Sequence, residues 1–402
     1  MSEWKEYKLD EIADIYNNKR IPLSSIVRSK RQGKYPYYGA SGIVDYIDDY
    51  IFDGDYILIS EDGENLRSRK TPIAFRAQGK FWVNNHAHII QGKDKFLNNW
   101  ISYFFKNLNV SPYLTGAVQP KLNKENLLRI PIPIPDFESA SIITEVLSSL
   151  DDKIELNNNN NKELEKLAQT LFKQWFIDFE FPNENGEPYQ SSGGEMVESE
   201  LGMIPKDWEI GILDDILEVK GGTTPSTKDA SFWDGIYHWT SPRDLSNLEF
   251  PLLIDTDKKI TAKGLKKISS GLLPKGTLLL SSRAPIGYLA ITEIETAINQ
   301  GYIAINGKKE FSNIFILYWL KVNMHLVIER ANGSTFLEIS KTNFKQINCI
   351  IPDSTILHQY INQANATFEV MRNNLLENQE LSTLRDTLLP KLISGELNVK
   401  DL

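Results

Sequence analysis

Arginine and lysine gather in two groups near the start of the chain, each beside tyrosine, asparagine or serine. The first group, with Lys30, Arg31 and Lys34, leads into Tyr37, Tyr38 and Ser41; the second includes Arg67, Arg69, Lys70 and Arg76, followed by Asn84 and Asn85. Cationic side chains hold phosphate, and arginine or an amide can also pair with the edge of a base. The second half offers a comparable set: Thr223, Thr224, Ser226, Lys228, Trp239, Ser241, Arg243, Arg283, Asn299 and Gln300. All of these are candidate DNA-binding residues, chosen by type and by clustering.

Catalytic patterns are missing. Gly221-Gly222-Thr223-Thr224-Pro225-Ser226 is glycine-rich but lacks the lysine and hydroxyl pair of a phosphate-cradling P-loop. No cysteine and histidine spacing suits zinc. His86 and His88 stand two apart on a strand-like run, where a structural or solvent-facing role outweighs metal binding. There is no nucleophile elbow, no acid-x-lysine after Ile351-Pro352-Asp353, and no Asn/Asp-Pro-Pro-aromatic motif. The chain reads as a recogniser and scaffold with no catalytic residues and no metal.

Two elements must position these residues. Between Ser139 and Phe181 the apolar residues Leu147, Leu150, Ile154, Leu164, Ala168, Leu171 and Trp175 follow a heptad seam that needs a partner helix. Asn157 and Asn161 sit on that seam, where a buried amide weakens packing but fixes register. A second such stretch, Thr355 to Leu397, aligns with the first at a constant offset that carries Asn157 to Asn374 and Asn161 to Asn378. The alignment extends upstream, bringing Gly116–Lys124 onto Gly333–Lys341. The chain is therefore a tandem repeat of a globular part and a long helix. The expected divisions are a first globular part (1–136), a helix (137–182), a polar linker (183–203), a second globular part (204–352) and a final helix (353–402).

The net charge of −9 does not exclude nucleic acid, because a local basic face decides phosphate binding. Acidic residues crowd the helices and the linker instead. The single cysteine, Cys349, reads as a small core residue of a reducing compartment. The charged N-terminus is unlike a signal peptide, and no apolar run reaches membrane-spanning length. The expected location is cytoplasmic.

Certain pieces resemble the specificity subunits of Type I restriction–modification systems. They are Gly221–Ser226 with Phe232-Trp233, Trp239 and Asp244-Leu245; Ala284–Gly287 followed by Asn299-Gln300; Gly39–Gly42; Leu167–Phe176; and Leu384–Glu396. The resemblance implies two α/β (α+β) target-recognition domains in tandem, separated by two long antiparallel coiled-coil helices. It also implies a pseudo-twofold internal repeat. Each domain would read half of a bipartite target in double-stranded DNA, and the helices would set the spacer and dock two methyltransferase subunits. Restriction and translocase subunits would join that core. S-adenosylmethionine, ATP and magnesium would belong to those partners, with no cofactor in this chain. The competing reading is a coiled-coil adaptor that tethers proteins without DNA specificity.

Overall fold

Each of two units takes one half of each long helix. In this computed structural model residues 4–116, 118–333 and 337–399 are described. Unit 1 comprises Met1–Glu155 with Gln379–Leu402, and unit 2 comprises Leu156–Asn378. The helices that matter are α1 (Lys95–Asn107), α2 (Phe137–Phe176, 40 residues), α3 (Asn313–Glu329) and α4 (Ser354–Ser394, 41 residues).

In unit 1, β1 (Lys5–Tyr7) is an outlying strand. The main sheet contains β2 (Ala13–Ile15), β3 (Gln32–Gly39), β4 (Gly42–Ile47), β5 (Phe52–Ser60), β6 (Ala74–Val83) and β7 (Ala87–Gly92), in the order β2-β7-β5-β6-β3-β4. Side chains alternate across it as the pleat requires. Ile57 and Ile59 join Trp100, Ile101 and Phe105 of α1, while Leu58 faces Phe81, Val83 and Ile89 on the other side. The sequence Pro131-Ile-Pro-Ile-Pro135 contributes β8 (Ile132–Ile134), which among the described residues pairs with β1 alone. That edge place suits residues lacking an N–H. The first half of α2 buries Ala140, Ile143 and Leu147 with Leu389, Leu392 and Ile393 of α4. Arg385 closes this end with an ion pair to Asp151 at 2.5 Å, and the Tyr103 hydroxyl donates to the same carboxylate at 2.7 Å.

Unit 2 repeats the plan. A hairpin of β9 (Met196–Ser199) and β10 (Gly202–Pro205) precedes β11 (Glu209–Ile212). The core strands are β12 (Leu217–Gly221), β13 (Trp233–Thr240), β14 (Leu252–Leu253), β15 (Lys258–Ile260), β16 (Leu278–Ser282), β17 (Ile286–Thr292), β18 (Thr296–Ile298) and β19 (Tyr302–Gly307). They form a five-stranded sheet, β12-β19-β16-β17-β14, and a three-stranded one, β15-β13-β18. β20 (Asn348–Ile351) pairs with β11 as β8 pairs with β1. A parallel pair recurs as well: Tyr38 lies opposite Val83 in unit 1, and Thr240 opposite Ile298 in unit 2. Cys349 is buried, which pushes its thiol up to about 12.

Within unit 2 the helices run antiparallel, and their asparagines meet crosswise. Asn157 Nδ2 donates to Asn378 Oδ1 at 2.9 Å, and Asn374 Nδ2 to Asn161 Oδ1 at 2.8 Å. Asn378 also donates to Asn158 at 2.8 Å, and Asn161 to the Met371 carbonyl at 3.1 Å. Farther along α2, Phe172, Trp175 and Phe176 pack around Tyr360 of α4.

Two expectations need correction. α2 ends at Phe176 rather than reaching Pro182. Phe179 takes a left-handed backbone (φ 54°), and Phe176, Phe179 and Phe181 fold onto Trp208. Residues 183–203 are not a plain linker, since Tyr189 stacks on Phe181 and β9 begins within them. Aromatic burial outweighs the polar composition there. Of the aligned pair Gly116–Lys124 and Gly333–Lys341, Ala117 and residues 334–336 lie outside the described residues.

Replacing Asn161 by alanine removes a donor to the Met371 carbonyl and the acceptor for Asn374. It should destabilise unit 2 by about 1–3 kcal/mol, read as a lower urea midpoint. An unchanged midpoint would show that the amides are dispensable.

Candidate nucleic-acid interface

Strand directions bring distant loops to one edge of unit 2. The C-terminal ends of β12, β13, β16 and β18 and the N-terminal ends of β17 and β19 lie together, as shown by the pairs Gly221–Ile303, Thr240–Ile298, Ser281–Tyr302 and Ser282–Ile286. Four loops therefore converge there, beginning after Gly221, Thr240, Ser282 and Ile298. They carry Thr223, Thr224, Ser241, Arg243, Arg283, Asn299 and Gln300.

Direct contacts lock these loops together. Gly222 passes so close to Ile298 that a Cβ would lie 1.9 Å from its carbonyl oxygen; only glycine fits. The Thr223 hydroxyl donates to the Lys267 carbonyl at 2.8 Å and accepts from the Ser269 N–H at 3.0 Å. Thr224 donates to Gln300 Oε1 at 2.6 Å. Ser241 begins a short helix (Pro242–Ser246), its N–H and hydroxyl both donating to Asp244. Arg283 pairs with Glu338 at 3.5 Å. Lys228, Arg243, Lys266 and Lys267 are exposed and form no ion pair among the described residues.

Unit 1 has the corresponding edge. Ser60 donates to the Ala40 carbonyl at 2.5 Å, the Asn84 N–H to the Tyr38 carbonyl at 3.0 Å, and the Glu61 N–H to the His86 carbonyl at 2.8 Å. These bonds gather Ser41, Asn84, Asn85 and His86. Arg20 clasps the group, donating to the Asn85 and Ala87 carbonyls at 3.3 and 3.0 Å and pairing with Glu61 at 2.5 Å. Burial alone would raise the Glu61 pKa, but Arg20, His88 and Lys121 outweigh it and hold the carboxyl below its ordinary range.

The family model for the Type I restriction modification DNA specificity domain matches residues 1–166 and 205–378. The chain belongs to this family. A Haemophilus influenzae protein named as a type I restriction enzyme specificity subunit is 42% identical over 148 residues; the match spans 37% of each chain. The HindI specificity subunit of the same organism is 24% identical, with 99% of this chain and 100% of that one aligned. The fold is that of the crystal structure of the S subunit of a Type I restriction–modification system from M. genitalium. There the TM-score is 0.60 at 16% identity, covering 97% of this chain and 96% of that one.

Within that family frame, several sequence-chosen residues prove to be structural. Tyr37 is 1% exposed, its hydroxyl bonded to the Leu23 backbone. Trp239 is buried and its ring N–H donates to the Thr223 carbonyl. Arg69, left-handed at φ 49°, donates to the carbonyls of Phe105, Lys106 and Leu108, where α1 runs out of backbone partners. Arg76 grips Asp55 with two nitrogens and Asn99 with a third. Arg31 pairs with Asp48 and Asp49 and lies over Trp82. Lys30 and Lys34 are exposed at the far end of β3 from Gly39. Tyr38 packs its ring on Phe75 and Phe81, and burial raises its pKa. Ser226 is exposed and accepts the Trp233 ring N–H through its carbonyl. Arg67 donates to the Gly116 carbonyl, and Lys70 is exposed.

Sequence reasoning missed the clasping role of Arg20. It also missed Lys266 and Lys267 as neighbours of Thr223. No local pattern marks either, because both depend on which strands pair.

His88 is fully buried. Its Nε2 donates to the Leu122 carbonyl at 2.7 Å and its Nδ1 accepts from Asn17 at 2.8 Å, the tautomer these partners dictate. Burial lowers its pKa below 6.5, against the raising effects of the Leu122 carbonyl and Glu61; Arg20 and Lys121 add to the lowering. The unfolded chain therefore takes up the proton first, and unit 1 should lose stability as pH falls below about 6.5. Denaturation midpoints between pH 7 and 5 should decline in the wild type and flatten in His88→Gln. Parallel declines in both proteins would assign the dependence elsewhere.

Proposed function

We propose that this chain is the non-catalytic DNA sequence-specificity subunit of a Type I restriction–modification complex. Unit 1 reads one half of a bipartite target and unit 2 the other. The observation that carries the reading is the pair of converging loop edges: one frame, built twice, with different polar and cationic side chains at the same place. Affinity comes from lysine and arginine on phosphate, and discrimination from amide, hydroxyl and guanidinium groups on base edges.

The helix pair sets the spacer. Half-sites read from one face of DNA lie about 34 Å apart or at multiples of that, and α2, at about 1.5 Å per residue, is roughly 60 Å long. Apolar side chains left uncovered on the helices, Leu156, Leu167 and Val370, suit docking of methyltransferase subunits. Methylation with S-adenosylmethionine, and ATP- and magnesium-dependent translocation and cleavage, belong to methyltransferase and restriction partners in the cytoplasm.

Exchanging residues 204–352 for those of another family member should change one half-site and leave the other half-site and the spacer unchanged. Sequencing methylated DNA from hosts carrying each full system reads this directly. A change in both half-sites would sink independent reading.

A further inference from the structure

One hydrogen-bonded turn occurs at equivalent places in both units. In unit 1, Asn84 follows β6. Its N–H donates to the Tyr38 carbonyl at 3.0 Å, and its Oδ1 accepts the His86 N–H at 2.8 Å. In unit 2, Asn299 follows β18. Its N–H donates to the Thr240 carbonyl at 3.1 Å, and its Oδ1 accepts the Gly301 N–H at 2.8 Å. Each asparagine's oxygen gives one lone pair to its own turn, and each asparagine is only partly exposed.

The residue held at the tip of each turn is also an amide, and it is exposed: Asn85 in unit 1 and Gln300 in unit 2. Each tip is braced from the loop after the first strand of its sheet. Arg20 donates to the Asn85 carbonyl, and the Asn85 side chain makes no hydrogen bond among the described residues. Thr224 donates to Gln300 Oε1, while Gln300 Nε2 makes no hydrogen bond among the described residues and the oxygen keeps a second lone pair. The Thr224 bond pre-organises the Gln300 amide, so little side-chain freedom is lost on contact there, whereas at Asn85 the Arg20 bond fixes the backbone that carries the amide.

We infer that Asn85 and Gln300 are equivalent specificity-determining residues, one for each half-site, and that Asn84 and Asn299 are positioning residues acting through them. Each tip amide faces one base edge in the major groove, and adenine offers the complementary donor and acceptor. The inference rests on the DNA-specificity reading proposed above.

The test uses hosts carrying the complete system with the full-length chain, and reads the methylated motif. Gln300→Ala should tolerate other bases at one position of one half-site, with discrimination there falling about tenfold or more. Asn85→Ala should do the same in the other half-site. Asn299→Ala should loosen the same position as Gln300→Ala. Asn299→Ser should keep the wild-type motif, because a hydroxyl can still accept the Gly301 N–H. An unchanged motif in both tip variants overturns the inference. So does a Gln300→Ala chain that keeps the wild-type unfolding midpoint yet supports no methylation, because losing a base reader relaxes a site rather than abolishing it. If Asn299→Ala and Gln300→Ala loosen different positions, the asparagine reads for itself and the inference fails. If the wild type methylates no bipartite motif, it is the DNA-specificity reading that fails.

Discussion

Everything in this chain depends on four asparagines that satisfy one another between two antiparallel helices. Leucines alone would tolerate sliding, since one heptad resembles the next. The amides do not: Asn157 finds Asn378, and Asn161 finds Asn374. Slipping one helix by a turn would strand these groups in a buried seam, at about 1–3 kcal/mol each. Register is therefore set by polar residues, whereas adhesion comes from Leu147, Ala168 and Trp175 and their partners. Because the pairs cross, a residue early in α2 meets one late in α4, and each unit is completed by both helices.

Equivalent local bonds then recur with different chemistry. Asn123 and Ser340 cap matching short helices, one with an amide and one with a hydroxyl. The backbone of Lys121 pairs with that of Asp62 in unit 1, and that of Glu338 with Arg283 in unit 2, so residues of reversed charge occupy a similar backbone bridge. Backbone pairing defines the frame, and side chains at loop ends vary without disturbing it. A scaffold of this kind can present two unlike surfaces from one architecture.

Much of this was legible in the sequence, and what was not has a physical cause. The heptads and the placement of Asn157 and Asn161 follow from local spacing, so helix, partner and repeat could all be read. In unit 2 the residues chosen by type, Thr223, Thr224, Ser241, Arg243, Arg283, Asn299 and Gln300, share one edge. Residue type failed where a cation had an internal use. Arg69 looks like a phosphate ligand, but it caps the end of α1 through the Lys106 carbonyl, 37 residues away along the chain. Arg76 lies opposite Ile57 and reaches Asp55 diagonally across an antiparallel pair whose register no local pattern announces. Tyr37 and Tyr38 differ by one position, yet Tyr37 is fully buried and Tyr38 only partly, with a break in the β3–β4 register between them. The aromatic residues after α2 pulled a polar segment onto Trp208, a tertiary effect that composition hides.

The two edges are also electrically unlike. In unit 1, Arg20 is neutralised by Glu61 and His86 sits against Asp62 at 2.9 Å, so the guanidinium at the edge is already matched. In unit 2, Arg243, Lys266 and Lys267 have no acidic partner among the described residues. Screening confines each surface charge to roughly 8–10 Å at ordinary ionic strength, so the net charge of −9 says little about either edge. On the proposed function, unit 2 would supply more of the salt-sensitive phosphate attraction. Unit 1 would rely on neutral amides and hydroxyls held by its internal ion pairs. Such a division lets one half of the molecule dominate encounter while both contribute to discrimination, because polar contacts to bases survive salt that weakens contacts to phosphate.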